Sequence, residues 1–282
     1  MHLVGHDRHG HARRVTERDD SISFNPAGSV DPRSLFGTFR SDLWFPRYRE
    51  GASGPWQTRI IAMPALRGYW GETYAVAGTV VLSGPVADGE ASWMSIVPME
   101  IESQEIGIAA AHGHTVVLGL GMGWCAANVA LNPAVTHVTV VERDPHVIEL
   151  IAALGIFEQL PREARGKIRI VQADALDWRP DMRVDSLQAD IWAKFVEPQK
   201  WDDVRRMQRN IGAGAIYFWG QEMELWRLAC RKHGRIPDML PDTELADLVA
   251  ATGLPLISTG YGDCIADAAR WWTPKTPGWW EA

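Results

Sequence analysis

The sequence predicts an α/β fold: a parallel sheet wrapped by helices and preceded by a small β-rich piece. Three observations predict it. From residue 115 onward, apolar runs of strand length alternate with helical segments. Glycines cluster directly after the first of those runs, and acidic residues end the next three. Strands separated by helices need crossover connections, and crossovers give parallel pairing.

The 282 residues suffice for one large α/β domain with a small addition. Hydrophobic residues make up 46% and charged residues 22%, the balance of an ordinary globular chain. The net charge of -7 argues against a nucleic-acid partner, because phosphate binding needs a concentrated basic patch. Arg205, Arg206 and Arg209 share one segment and read as a solvated helix face. Cys125, Cys230 and Cys264 are far apart and form no CxxC pair, so neither a metal site nor a disulfide framework is expected. No apolar run reaches the length of a membrane helix, and the first residues lack the apolar core of a signal peptide. A cytoplasmic protein without a membrane partner is the expectation. His2, His6, His9 and His11 read as part of a poorly ordered terminus rather than as metal ligands.

In chain order, residues 1–52 are rich in Arg, Asp, Gly, Ser and Pro and predict a loosely ordered arm. Residues 53–95 predict a small antiparallel β subdomain, from the runs RIIAM and GTVVLSG. Residues 96–260 predict the main domain, opening with a helix at about 96–111. TVVLGLG is then a strand entering glycines, and 123–131 a helix ended by Asn132-Pro133. HVTVVE is the second strand. Asp144-Pro145 starts a helix, with Asp as cap and Pro in the first turn. KIRIVQAD and VDSLQAD are the third and fourth strands, and WDDVRRMQRNI is a helix. GAIYFW is the fifth strand, followed by the helix QEMELWRLACRKHG. TELADLVAATG and LPLIS predict one more helix and strand. Residues 261–282 predict an aromatic tail whose end, ARWWTPKTPGWWEA, holds too much Pro and Trp for a regular element.

The densest chemical signal is VVLGLGMGW. Gly119, Gly121 and Gly123 permit a tight turn and a close backbone approach by a ligand, and the next helix offers free N–H groups. Glu142, 23 residues after Gly119, ends the second strand, where a carboxylate can accept two ribose hydroxyls. Asp174 ends the third strand, where it can accept an adenine amino group, and Asp190 ends the fourth. Each acid alone could simply cap a helix. As a set with the glycines, they face one crevice at the carboxyl ends of parallel strands. A nicotinamide dinucleotide fits less well, since the pattern is GxGxG followed by Trp124 and the third strand has its own acid.

The stretch VVLGLGMGWCAANVALNPAVTHVTVVERDPHVIELI, followed by KIRIVQADALDW, resembles the core of the spermidine synthase-like branch of the Rossmann-like class I methyltransferase fold. GTVVLSGPVADGEASWMSIVPMEIE resembles the hairpin and helix that precede that core, and the resemblance covers about residues 75 to 220. It implies S-adenosylmethionine as cofactor, with Gly119, Gly121 and Gly123 around its aminoacyl part, Glu142 on the ribose, and Asp174 and Ala175 at the adenine. Asp190 matches the first acid after the fourth strand. Two departures are visible. The family's glycine loop carries Asp where this chain has Met122, and its second fourth-strand Asp is replaced by Ala193, followed by Lys194. A cationic diamine needs carboxylates, and Lys194 would repel it.

Trp124, Trp178, Trp192 and Trp219 fall near the carboxyl ends of strands, where aromatic faces can hold a planar or cationic acceptor or else pack against the N-terminal subdomain. Trp178 is expected to pack. Asp190 is the first candidate base and Glu222 the second; Trp192, Lys194 and Trp219 are the candidate acceptor contacts. Tyr261 and Asp263 are further candidates, whereas His112 and His114 precede the first strand and read as structural. The Trp pairs at 271–272 and 279–280 are expected to dock on the body or on a second copy of the chain in a homodimer. The expected function is methyl transfer from S-adenosylmethionine to a small-molecule acceptor. The alternatives are an aminopropyltransferase with an altered acceptor site and a non-catalytic nucleoside-binding protein.

Overall fold

A computed structural model describes residues 36–86, 89–258 and 261–281; the four histidines near the start lie outside these residues. The described residues begin with strands β1 (Gly37–Thr38), β2 (Gly51–Ser53), β3 (Trp56–Ile61), β4 (Ala65–Arg67), β5 (Thr73–Ala75), β6 (Thr79–Val86) and β7 (Gly89–Ser95). They build two small sheets, ordered β1-β5-β4 and β2-β3-β6-β7. The main domain follows as α1 (Pro98–Ala110), β8 (Gly113–Leu118), α2 (Trp124–Leu131), β9 (Val135–Glu142), α3 (Pro145–Leu154), α4 (Arg162–Gly166) and β10 (Ile168–Gln172). It continues with β11 (Ser186–Ala189), α5 (Lys200–Ile211), β12 (Ala215–Phe218), α6 (Gln221–His233), α7 (Asp242–Thr252) and α8 (Gly262–Trp272).

The five later strands pair parallel in the order β10-β9-β8-β11-β12. The chain moves outward in one direction from β8, then returns to fill the other side. A crevice therefore opens at the carboxyl end of β8, between strands whose connections diverge. The fold is α/β, a five-stranded parallel sheet preceded by a mixed three-stranded sheet and an antiparallel four-stranded one. Side chains alternate across the sheet. Val116 and Leu118 of β8 join the core beneath α5, α6 and α8, while Val117 joins the core beneath α2 and α3.

Local chemistry explains several element ends. Asp144 caps α3, its Oδ1 accepting from the His146 N–H at 2.9 Å, with Pro145 in the first turn and Gly155 closing the helix in a left-handed conformation. In α5, Val204, Met207 and Ile211 are buried at helical spacing while Arg205, Arg206 and Arg209 face solvent.

Three expectations change. The arm is not loose throughout: within the described part, Trp44 N–H donates to Asn128 Oδ1 at 2.8 Å and the Tyr48 hydroxyl to the Met122 carbonyl at 2.9 Å. LPLIS does not form a strand. It touches β12 through a single parallel bridge, Ile216 to Leu256, because Pro255 has no N–H to extend the ladder. The tail does contain a regular element, α8. Its proline-free stretch places Ile265, Ala268 and Ala269 on one buried face, and the prolines act only after Trp272. Both Trp pairs dock on the body. Trp272 Nε1 donates to the Tyr69 carbonyl at 2.9 Å, Trp279 is buried, and the Arg67 guanidinium lies 3.5 Å over the ring of exposed Trp271.

Candidate active site

The crevice at the carboxyl edge of β8 is a cavity of about 240 Å³. Its floor is the turn after β8. Gly119 adopts φ +93°, and a Cβ there would run into the Asp190 carbonyl oxygen, so only glycine fits between the ends of β8 and β11. Gly119 and Gly121 line the cavity, whereas Gly123 lies behind it as the N-cap of α2.

The acids at the ends of β9 and β10 lie along one side. Glu142 Oε2 accepts from Leu120 N–H and Oε1 from Asp144 N–H, each at 2.9 Å. The carboxylate thus ties the glycine turn to the start of α3, and one lone pair on each oxygen stays available. Asp174 is exposed and uses Oδ1 to accept from Leu176 N–H at 2.8 Å. Ala175 lines the cavity beside it.

Asp190 stands at the centre. Its main-chain N–H donates to the Leu118 carbonyl at 2.9 Å, and its Oδ2 accepts from Gln104 Nε2 of α1 at 2.9 Å. Burial pushes its carboxyl up to about 7, while the Lys200 ammonium and the Gln104 hydrogen bond oppose that rise. Trp192, Trp219 and Tyr217 form the far wall. Trp192 Nε1 donates to Asp203 Oδ2 at 2.9 Å, and Trp219 Nε1 to Ser103 Oγ at 3.0 Å, so both indoles are fixed.

Other residues singled out in the sequence fall elsewhere. Lys194 does not line the cavity; it is exposed, and its main-chain N–H donates to Glu197 Oε1 at 2.9 Å. Charge repulsion from Lys194 is therefore no part of the pocket. Glu222 is fully buried one layer behind the wall, where its Oε2 accepts from the Tyr69 hydroxyl at 2.9 Å. Burial lifts its carboxyl to about 7, against hydrogen bonds from its own N–H, Tyr69 and Tyr217. Trp124 packs on the N-terminal segment, its Nε1 donating to the Trp44 carbonyl at 2.9 Å and its ring stacking on Phe45. Trp178 packs on the core. The Tyr261 hydroxyl donates to the Ile257 carbonyl at 2.6 Å, away from the cavity lining, and Asp263 is exposed. The His114 ring bridges Arg183 O and Thr139 Oγ1, a structural role.

Sequence reasoning missed the roof and one wall. Trp56, Trp93 and Met94 of the antiparallel sheet reach over the crevice, and Trp56 Nε1 donates to Asp144 Oδ2 at 2.6 Å. Gln104 and Tyr217 also line it. Gln104 carried no distinguishing signal, since it shares α1 with the buried polar residues Glu100, Glu102 and Ser103, and the roof carried none either, since sheet packing is not written in local sequence. Among the described residues no group of His, Cys, Asp and Glu could hold a metal ion. No helix there is long and apolar enough to cross a membrane.

No protein-family model matches the sequence, and no curated protein does. Solved structures do. The glycopeptide N-methyltransferase MtfA complexed with S-adenosyl-L-methionine is 18% identical, with a TM-score of 0.31, over 39% of this chain and 43% of that one. The DhpI-SAM-HEP complex is 18% identical, with a TM-score of 0.33, over 44% of this chain and 56% of that one. A dimethyladenosine transferase from Plasmodium falciparum is 15% identical, with a TM-score of 0.33, over 45% of this chain and 44% of that one. The alignment spans roughly half the length of these structures or less. The MtfA structure is described as an N-methyltransferase holding S-adenosyl-L-methionine, and the DhpI complex as holding SAM.

Proposed function

We propose that this chain transfers a methyl group from S-adenosylmethionine to a small-molecule acceptor. The observation that carries the reading is Asp190: a buried carboxyl near neutrality, set between the glycine turn and an aromatic wall of the same cavity. The donor set fits the cofactor. The spare lone pairs of Glu142 suit two ribose hydroxyls, and the second oxygen of Asp174 suits an exocyclic amino group. Bound S-adenosylmethionine supplies an electrophilic methyl: the acceptor's lone pair forms the new bond to carbon as the carbon–sulfur bond breaks, and S-adenosylhomocysteine leaves. Trp192 and Trp219 hold a planar or cationic acceptor in line, and Asp190 takes the acceptor's proton on its carboxylate.

The antiparallel strands and helix ahead of the glycine turn support the spermidine synthase-like branch. Methyl rather than aminopropyl transfer is supported by the missing second carboxylate at exposed Ala193 and by apolar, buried Met122 in the glycine loop. A cytoplasmic enzyme, active alone or as a homodimer, without nucleic acid or membrane, completes the reading. Titration calorimetry with S-adenosylhomocysteine should show one site per chain, and NAD should give no heat. Methyl-labelled donor should then label a small-molecule product. Heat with NAD alone, or methylthioadenosine release with putrescine and decarboxylated donor, would overturn the proposal.

A further inference from the structure

Lys200 opens α5, yet its side chain is wholly buried. Its Nζ donates to three main-chain carbonyls: Lys194 at 2.7 Å, Phe195 at 2.9 Å and Trp219 at 3.1 Å. All three ammonium hydrogens are thereby used. The same Nζ lies 4.8 Å from the Trp192 ring centre and 5.4 Å from that of Trp219. Two of the carbonyls belong to the segment after β11, and the third follows β12. The two segments meet closely, since Gly220 has φ +79° and a Cβ there would collide with the Phe195 backbone. The Phe195 and Trp219 rings lie 4.2 Å apart.

We infer that Lys200 is a positioning residue that ties the segment after β11 to the end of β12 and so sets Trp192 and Trp219 as the two indole walls of the crevice. The tie is a matter of geometry; its bearing on the acceptor rests on the methyl-transfer reading above. Three carbonyl oxygens converging on one buried point repel one another unless a compact donor with three hydrogens sits between them. A planar guanidinium cannot converge on them in that way, and an apolar side chain leaves them buried without donors.

The charged groups around Lys200 are Asp190 and Glu197 after β11, Glu222, Glu224 and Arg227 on α6, and Asp203 on α5 through Trp192. Burial draws its ammonium down to about 8, with Glu224, Asp190 and Glu197 resisting. Above that pH the amine keeps two hydrogens for three carbonyls, and the rings lose the cation they face.

The test uses the full chain labelled with 5-fluorotryptophan, with the Trp192 and Trp219 fluorine resonances assigned by single Trp→Phe replacements. Between pH 6 and 10 both resonances should move in wild type with a shared midpoint near 8. Lys200→Met should abolish that midpoint and displace both resonances at pH 7, and Lys200→Arg should not restore them. Resonances that stay fixed in wild type would overturn the inference, as would Lys200→Met spectra that match wild type. A wild-type midpoint near 8 that persists in Lys200→Met would also overturn it, since the group that moves the rings would then not be Lys200. If Lys200→Met does not fold, Lys200→Gln is read at pH 7 in the same way: displaced Trp192 and Trp219 resonances support the tie, and wild-type positions overturn it. Calorimetry with S-adenosylhomocysteine on wild type is read separately: its failure removes the methyl-transfer reading, and the fluorine resonances still decide whether the tie exists.

Discussion

Asp190 combines two conditions that pull in opposite directions. Burial disfavours its charge, while Gln104 and the nearby Lys200 keep ionisation within reach of neutral pH. A general base works best under such conditions, and its loss typically costs about 10²–10⁴-fold. Asp190→Asn keeps the shape and removes the basicity. Single-turnover rates at saturating donor and acceptor should fall at least about a hundredfold, with S-adenosylhomocysteine affinity changed by less than about tenfold. A wild-type rate would shift attention to Glu222, which reaches the wall only through Tyr217. Glu142 predicts the complementary loss. Glu142→Ala should weaken S-adenosylhomocysteine binding by about 1.5–3 kcal/mol for each ribose hydrogen bond removed. Calorimetry on the folded variant checks this; unchanged affinity would take Glu142 out of the site.

At the scale of elements, the site depends on parts far apart in sequence. The antiparallel sheet roofs the crevice with Trp56 and Trp93, α1 contributes Gln104, and α8 with the turn after it closes the core behind the indole wall. Trp272 ties α8 back to Tyr69, whose hydroxyl holds Glu222. Trp279 is buried beyond α8, against the same core. Trp279→Ala should therefore lower stability by about 3–5 kcal/mol, as large-to-small changes of buried aromatics do. Urea denaturation measures it, and a midpoint within error of wild type would show that the last turn only leans on the surface.

For the whole molecule, buried carboxyls make stability depend on pH. Asp190 and Glu222 titrate near about 7 in the folded chain, against about 4 when unfolded. Raised carboxyl values favour the protonated folded form. Their contribution is complete below about pH 4 and is lost as pH rises through about 7. Lys200 runs the other way. Its lowered value gives a contribution present above about pH 10.5 and lost as pH falls through about 8, so it is constant below neutrality. Asp181 and Glu244, held low by basic neighbours at the surface, act at more acidic pH and are present in every variant. The urea midpoint of wild type should thus fall between pH 5 and 7.5, and Asp190→Asn and Glu222→Gln should each flatten that slope. An unchanged slope in both variants would refute the assignment.

The sequence by itself determined the alternation of strands and helices, the glycine turn, and the acids at the ends of β9, β10 and β11. These are local: they follow from side-chain periodicity, capping at Asp144-Pro145 and the steric freedom of Gly119. It also exposed the departures at Met122 and Ala193. What it left undecided was which side chains share a space. Trp124 and Trp192 both follow strand ends, yet one packs under the N-terminal segment and the other walls the crevice. Lys194 and Lys200 lie six residues apart, yet the first is exposed while the second is buried among three carbonyls. Such choices depend on contacts between residues distant in the chain, and burial and charge balance act only once the sheet, its roof and α6 have closed around them.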